Sequence, residues 1–334
     1  MLEAADPGWC AFAEEHALSP TQRPGWLSVL TGAYGLRARI AALVVDDGGI
    51  LAGLPMVAAK LPWRDRWSAL PYTDLLDVVA LGEEHRHALL LALAESARDE
   101  TILMHADAAS VPGWFSRQLA TMQVLEVSGG ATEVLSGVSS STKRHVARAR
   151  RASAGLEASL VEDRSEFMGA TVRLMAETRR RLGAPTQPLR YWGRIWELHA
   201  RGEAVTIGVR LEGRLLACAV FLLGRRHAVY KYGASDLATR HLRTNYLVFA
   251  AAFDELAGRG IRTLDFGLSD LENEGLRSFK ARWGGEERIV RFSATDPAAL
   301  PRSLEPGRLV TGTIQRAPLM LGRMIGAVGY PLLA

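Results

Sequence analysis

The sequence predicts an α/β protein of two tandem domains that share one topology, each with a mixed, largely antiparallel sheet flanked by helices. Three observations lead there. Apolar alternation typical of strands recurs in two separate blocks, each followed by a helical stretch and then a short apolar strand. Two hairpins align directly, DDGGILAGLPMV at Asp46 to Val57 against LEGRLLACAVFL at Leu211 to Leu222, with Gly48 falling on Gly213. Between the blocks lies SGGATEVLSGVSSS, Ser128 to Ser141, whose Ser and Gly content predicts a linker feeding a basic helix.

In the first block a helix is expected near Trp26 to Thr31. Strands come next at Ile40 to Val45 and Ile50 to Ala59, around the turn Asp46-Asp47-Gly48-Gly49. After them are expected a strand near Trp67 to Tyr72, a helix His87 to Arg98 with Leu and Ala at helical spacing, a strand Thr101 to Ala106, a helix near Trp114 and a strand Gln123 to Val127. The second block predicts a meander of Val205 to Arg210, Leu215 to Leu223 and His227 to Tyr232. A helix Asn245 to Ala257, a strand Thr263 to Phe266, a helix Leu276 to Trp283 and a strand Arg288 to Ala294 complete it. The expected division is 1–127, a linker 128–142, a second domain 143–300 and an amphipathic tail 301–334. That tail caps the second domain or lies on a membrane surface, and capping is the simpler expectation.

Composition excludes several classes. The formal charge is +4, and Cys10 and Cys218 are too few and too distant for a disulfide framework or a zinc site, so a reducing compartment, the cytoplasm, is expected. The first 20 residues carry neither a basic nor an apolar leader pattern, and there is no apolar run of membrane-spanning length. No GxSxG, Walker, HExxH or GxGxxG motif is present, so no metal and no cofactor are expected. Of the 40 basic residues only Lys60, Lys143, Lys231 and Lys280 are lysine, so each surviving ammonium draws notice.

The richest segment is LDFGLSDLENEGLRSFKARWGG, Leu264 to Gly285. It places Asp265 and Gly267 where an apolar strand opens into a polar loop, then Phe279, Lys280 and Trp283 on a short helix. A strand, a turn and a helix with both aromatics in the core would also account for it. DFG, a short loop, GL and FKARWG together resemble the FemABX-like transferases, tandem proteins of the GNAT (acyl-CoA N-acyltransferase) fold that transfer aminoacyl groups. LPYTDLL (Leu70 to Leu76), STKRHVARARRASAGLE (Ser141 to Glu157) and VYKYGAS (Val229 to Ser235) extend the resemblance over roughly Arg37 to Ala294. The long coiled-coil arm of some cell-wall members has no counterpart.

The resemblance implies amide formation, with an aminoacyl group passing from aminoacyl-tRNA to a small-molecule or peptide amine, a peptidoglycan precursor or a specialised metabolite. It implies Lys280 as the group that stabilises the oxyanion or protonates the leaving ribose oxygen, with Phe279 shaping the pocket. Asp265, Asp74 and Tyr232 are candidate bases. The acceptor is expected near Tyr72, Asp74, Arg190, Tyr191, Tyr230, Tyr232 and Trp283. For the donor, Arg144, Arg148 and Arg151 recur at i, i+4 and i+7 beside Lys143, a stripe suited to an RNA backbone or simply to solvent. The connection SDLATRHLRTNYL lacks the glycine turn that would let bare backbone cradle a pyrophosphate, which leaves side chains at Arg243, Thr244 and Asn245 for phosphate contacts. Two alternatives stay open, an acyl-CoA donor on the same fold and a non-catalytic scaffold in polysaccharide or cell-envelope assembly. The oligomeric state is not legible.

Overall fold

A computed structural model describes residues 1–59, 66–74, 77–97, 101–106, 112–151, 155–301 and 308–333. Fourteen strands are present among them: β1 (Leu2–Glu3), β2 (Ala38–Val44), β3 (Ile50–Ala58), β4 (Arg66–Ser68), β5 (Val79–Ala80), β6 (Thr101–Ala106), β7 (Phe115–Glu126), β8 (Leu156–Leu160), β9 (Ala204–Leu211), β10 (Arg214–Leu223), β11 (His227–Ser235), β12 (Thr263–Asp265), β13 (Ser269–Asp270) and β14 (Glu286–Ala294).

They form two mixed half-sheets joined edge to edge, in the order β1-β2-β3-β4-β6-β14-β7-β12-β11-β10-β9-β8. Read inward from either edge, the pairings are the same: three antiparallel, one parallel, one antiparallel. The duplication therefore exists in three dimensions. The hairpin turns correspond as well, Gly48 and Gly213 both taking positive φ (85° and 76°), a conformation that costs glycine little. Each parallel pair is connected through a helix, Glu83–Ser96 in the first half and Thr244–Gly258 in the second.

The inner strands are exchanged. β7, from the first half of the chain, pairs with β12, while β14, the last strand, pairs with β6. The two exchanged strands pair with each other from Phe115↔Ala294 to Val124↔Glu286. Each half thus contains a strand contributed by the other.

Two expected elements differ. In place of the helix near Trp114, the 12-residue β7 begins at Phe115. Trp114 is buried, its indole N–H bonded to the Leu90 carbonyl at 2.9 Å, and pairing with β14 holds Phe115 to Val124 extended. The Ser/Gly linker is largely helical, Gly130–Gly137 and then Ser140–Arg151. Ala131, Val134 and Val138 enter the second-half core and the Asp254 carboxylate accepts from Ala131 N at 2.8 Å, so tertiary packing overrides weak propensity.

Two cores result. One gathers β2, β3, helix Pro24–Tyr34 and helix Leu189–Ala200, with Trp9, Trp26 and Trp192 buried; the other lies under helix Thr244–Gly258. The tail forms helices Arg308–Arg316 and Leu319–Leu333, and Tyr330 of the second is buried against Tyr34 and Tyr72. Residues 302–307 of the expected tail, Leu75 and Leu76 of LPYTDLL, and 152–154 of the basic segment lie outside the described residues. Among the described residues no helix is long and apolar enough to cross a membrane.

Candidate active site

At the carboxyl end of β12 the chain turns through Asp265, Phe266 and Gly267, and the Asp265 carboxylate fixes the turn by accepting from Gly267 N at 2.8 Å. Helix Glu274–Ala281, capped by the Asn273 side chain on Leu276 N at 3.1 Å, brings Lys280 back over this turn. Lys280 is 4% exposed, and its ammonium donates to the carbonyls of Gly267 at 2.5 Å and Leu268 at 3.0 Å. Two of its three donors are thereby used.

Asp74 enters from the first half. It pairs with Lys231 of β11 at 2.7 Å, accepts from Leu268 N at 3.3 Å, and lies so close to Gly267 that a Cβ there would stand 2.7 Å from its Oδ1. Gly267 also has φ of 73°, so both its conformation and its neighbour demand glycine. Lys231 donates in addition to the Tyr72 carbonyl at 2.5 Å and stands 5.1 Å from the centre of the Trp26 ring. Tyr72 itself is held at φ 61°, an uncommon conformation for a side chain of its size.

Two aspartates and two lysines are thus enclosed where the halves meet. Burial, with help from the Asp74 charge, pushes Asp265 up to about 7. Burial pulls Lys280 down to about 8 against the opposing effect of Asp74 and Asp265. Burial also works against the Lys231 charge, but Asp74 and Tyr232 outweigh it and the net direction is upward. Lys231 with Asp74 is therefore a fixed ion pair, while Asp265 and Lys280 change charge near neutrality.

Beside these charged residues lies a packed aromatic cluster. Tyr191 and Tyr232 share a hydroxyl contact of 2.7 Å, Gln187 donates to Tyr232 at 3.3 Å, and the Tyr72 hydroxyl donates to the Tyr330 carbonyl. Arg179 reaches the Tyr330 hydroxyl at 2.8 Å, and that hydroxyl donates to the Pro185 carbonyl at 2.9 Å. Burial moves the Tyr34, Tyr72 and Tyr191 hydroxyls upward, so they remain protonated donors. Tyr230 packs against Phe221, Phe249 and Phe266 rather than in this cluster.

A basic patch covers the start of helix Thr244–Gly258. Helix Ser140–Arg151 turns Thr142, Val146 and Ala149 to the core and leaves Lys143, Arg144, Arg148 and Arg151 exposed. The His145 ring lies 5.1 Å from Tyr246, and Thr142 bonds the Arg282 carbonyl at 3.3 Å. His145 is pushed down by partial burial and then by the charges of Arg243, Arg282, Arg144 and Arg148. Arg243 takes φ 56°, the conformation usually left to glycine, and provides no side-chain cap to the helix. Thr244 is buried and Asn245 exposed at the helix start.

Most of the residues singled out in the sequence fall into these three groups, but some do not. Trp283 is 1% exposed in the second core against Tyr246, Phe249 and Phe253, and Phe279 packs on Phe249, so both support the helix that carries Lys280. Arg190 is exposed one position before buried Tyr191 and has no place among the aromatic cluster's contacts. No local pattern singles out Gln187, Tyr34, Tyr330, His145 or Arg282, whereas lysine scarcity signals Lys231 in VYKYGAS and Arg179 belongs to the basic run Arg179-Arg180-Arg181. Among the described residues no His, Cys, Asp or Glu group is arranged to hold a metal.

A doubled sheet with one parallel pair in each half is a tandem GNAT fold like that of the FemABX-like proteins. Residues 140–281 match the family described as acetyltransferase (GNAT) domain. Among solved structures the chain is similar to FemX, with 18% identity, a TM-score of 0.63, and coverage of 88% of this chain and 96% of that one. It is also similar to L-PGS from Bacillus licheniformis (14% identity, TM-score 0.57, 98% of both chains). A tandem GNAT protein from the clavulanic acid biosynthesis pathway gives 16% identity and a TM-score of 0.50, over 89% of this chain and 98% of that one. No curated protein matches the chain by sequence.

Proposed function

We propose that this protein is an N-acyltransferase that forms an amide by moving an aminoacyl group from aminoacyl-tRNA to an amine acceptor. The observation that carries this is the patch around His145. Exposed Arg144 and Arg148 share a helix with His145, whose ring packs on Tyr246 of the helix that Arg243 precedes. The Arg282 carbonyl bonds Thr142 of the His145 helix, and an arginine stands at the backbone position where a glycine would open the loop for a pyrophosphate. Binding through spread guanidinium groups suits a polynucleotide backbone. The resemblance of its motifs to the FemABX-like transferases implies the same donor class.

The acceptor amine is received at the edge of the aromatic cluster, where the half-buried Tyr232 and Arg179 offer polar atoms, and it attacks the ester carbonyl. Lys280, with one donor unused, stabilises the oxyanion and then protonates the departing ribose oxygen. The proton released by the amine passes to Asp265, the carboxylate raised to about 7, and its return to Lys280 resets the pair. The ester C–O bond breaks, the amide C–N bond forms, and no redox partner is needed. Asp74, committed to Lys231 and Leu268 N, positions the Gly267 turn.

The uncapped start of the 15-residue helix Thr244–Gly258 favours a second reading, a coenzyme A pyrophosphate seated on its free N–H groups. Purified protein given a pool of charged tRNAs and a panel of amines, with and without RNase and beside an acyl-CoA panel, separates the two. RNase-sensitive amide product is expected; product formed only from acyl-CoA would overturn the tRNA donor.

A further inference from the structure

A separate cavity of about 1030 Å³ opens between the halves. It lies at the start of β11 and β12, by His227 and Thr263, the opposite end of these strands from the Asp265–Lys280 pair. Met122 and Val124, alternate residues of β7, form an apolar floor. Arg225, Arg226, Arg262 and Arg288 line the second-half wall.

The backbone fixes where these guanidinium groups start. Arg262 N donates to the Arg226 carbonyl at 2.8 Å, and the Arg262 carbonyl accepts from Val127 N at 2.6 Å. Arg225 bonds the Glu15 carbonyl at 3.0 Å and Arg288 pairs with Glu286 at 2.9 Å. Among the described residues the side chains of Arg226 and Arg262 have neither a hydrogen bond nor an ion pair. His227, bonded to Thr263 at 2.7 Å, is held neutral by burial and by Arg288. Of the carboxylates that line the cavity, Asp77 is paired with Arg86, and Glu15, Glu83 and Glu126 stand on the first half and on β7, so positive charge gathers on the second-half wall, where it raises the local concentration of anions.

We propose that this cavity binds a small phosphorylated organic molecule, with Arg226 and Arg262 gripping the phosphate and the organic body lying on Met122 and Val124. The size of the ligand is limited by charge as well as by shape. Glu15 and Glu83, whose side chains are 71% and 76% exposed, line the first-half side and repel an extended polyanion, whereas a compact anion inside meets the arginines. This site is independent of the acyl-transfer assignment and shares no residue with the patch around His145.

Phenyl phosphate and inorganic phosphate serve as probes in calorimetric titrations, with hydrogen exchange monitored at 225–227 and 262–263. To silence the helix-start patch, the reference protein carries Arg243→Gln and Arg282→Gln. Phenyl phosphate is expected to bind this reference, to protect both segments, and to bind several-fold tighter than inorganic phosphate. Adding Arg226→Gln and Arg262→Gln is expected to weaken it about tenfold or more and to abolish the protection. Both arginines are exposed, so the fold survives the change, and Arg226→Lys with Arg262→Lys should recover part of the affinity. Unchanged affinity in the glutamine variant, or protection of these segments by an RNA oligomer and not by phenyl phosphate, would overturn the proposal.

Discussion

Helices Glu83–Ser96 and Thr244–Gly258 hold equivalent positions in the two halves, each linking the strands of the parallel pair, and they begin in opposite chemical surroundings. The first opens with Glu83 and Glu84 after Gly82, and the Glu84 carboxylate folds against Gly82. Negative charge from its own chain already complements the positive end of the helix. Arg86, one turn in, is spent on Asp77 at 2.8 Å and Glu83 at 3.0 Å. The second helix opens with Arg243 in a glycine-like conformation, next to His145 and three more arginines, and no carboxylate stands in its first turn. Of two equivalent helix starts, only the second is surrounded by arginines. The lysine–aspartate pair that titrates near neutrality lies in the same half, while the first half supplies Asp74 and Tyr72 to its border.

This contrast can be broken or sharpened experimentally. If chemistry belongs to the second half, Lys280→Ala should lower kcat by about a hundredfold to ten-thousandfold in single-turnover assays at saturating substrates. Wild-type turnover in that variant would remove Lys280 from the mechanism. Lys231→Met tests the junction, since it leaves Asp74 buried without its cation. Urea unfolding should show a loss of about 3–5 kcal/mol, most of it recovered when Asp74→Leu is added.

The two helix starts are compared directly by a pair of mild changes. Arg243→Gln should raise the donor KM about tenfold and reduce the slope of log affinity against log salt by about one. The matched Glu83→Gln should leave donor KM unchanged and stability within about 0.5 kcal/mol. Equal effects from both would erase the asymmetry.

The smallest expected effect is on pH dependence. Below about 7 Asp265 gains a proton and cannot accept one, and above about 8 Lys280 loses the proton it must donate, so kcat should trace a narrow bell between these values. The two limbs belong to the coupled pair. Asp265→Asn should flatten the acid limb on top of its lower rate, and an acid limb that persists unchanged would assign the base elsewhere.

The elements that were legible share a local cause. Hairpin alternation around Gly48 and Gly213, the strand into DFG, and the helix bearing FKARWG arise from side-chain period and turn chemistry within a few residues of each other. Lys280, Asp265 and the arginine stripe could be singled out for the same reason: strand end, short helix and i, i+4 spacing are local patterns. Sequence also sufficed to exclude metal motifs and a disulfide framework, because each needs residue types at spacings this chain does not have.

Tertiary structure alone decided what lies between the halves. The exchange of β7 and β14 results from pairing between segments far apart in the chain, which no local period encodes. The same distance hides the Asp74–Lys231 pair, the placement of Tyr330 over Tyr72, and the retreat of Trp283 into a core. Whether an aromatic residue packs or binds depends on what the rest of the chain brings to its faces. Whether a lysine titrates near neutrality depends on how much water the closed fold leaves around it.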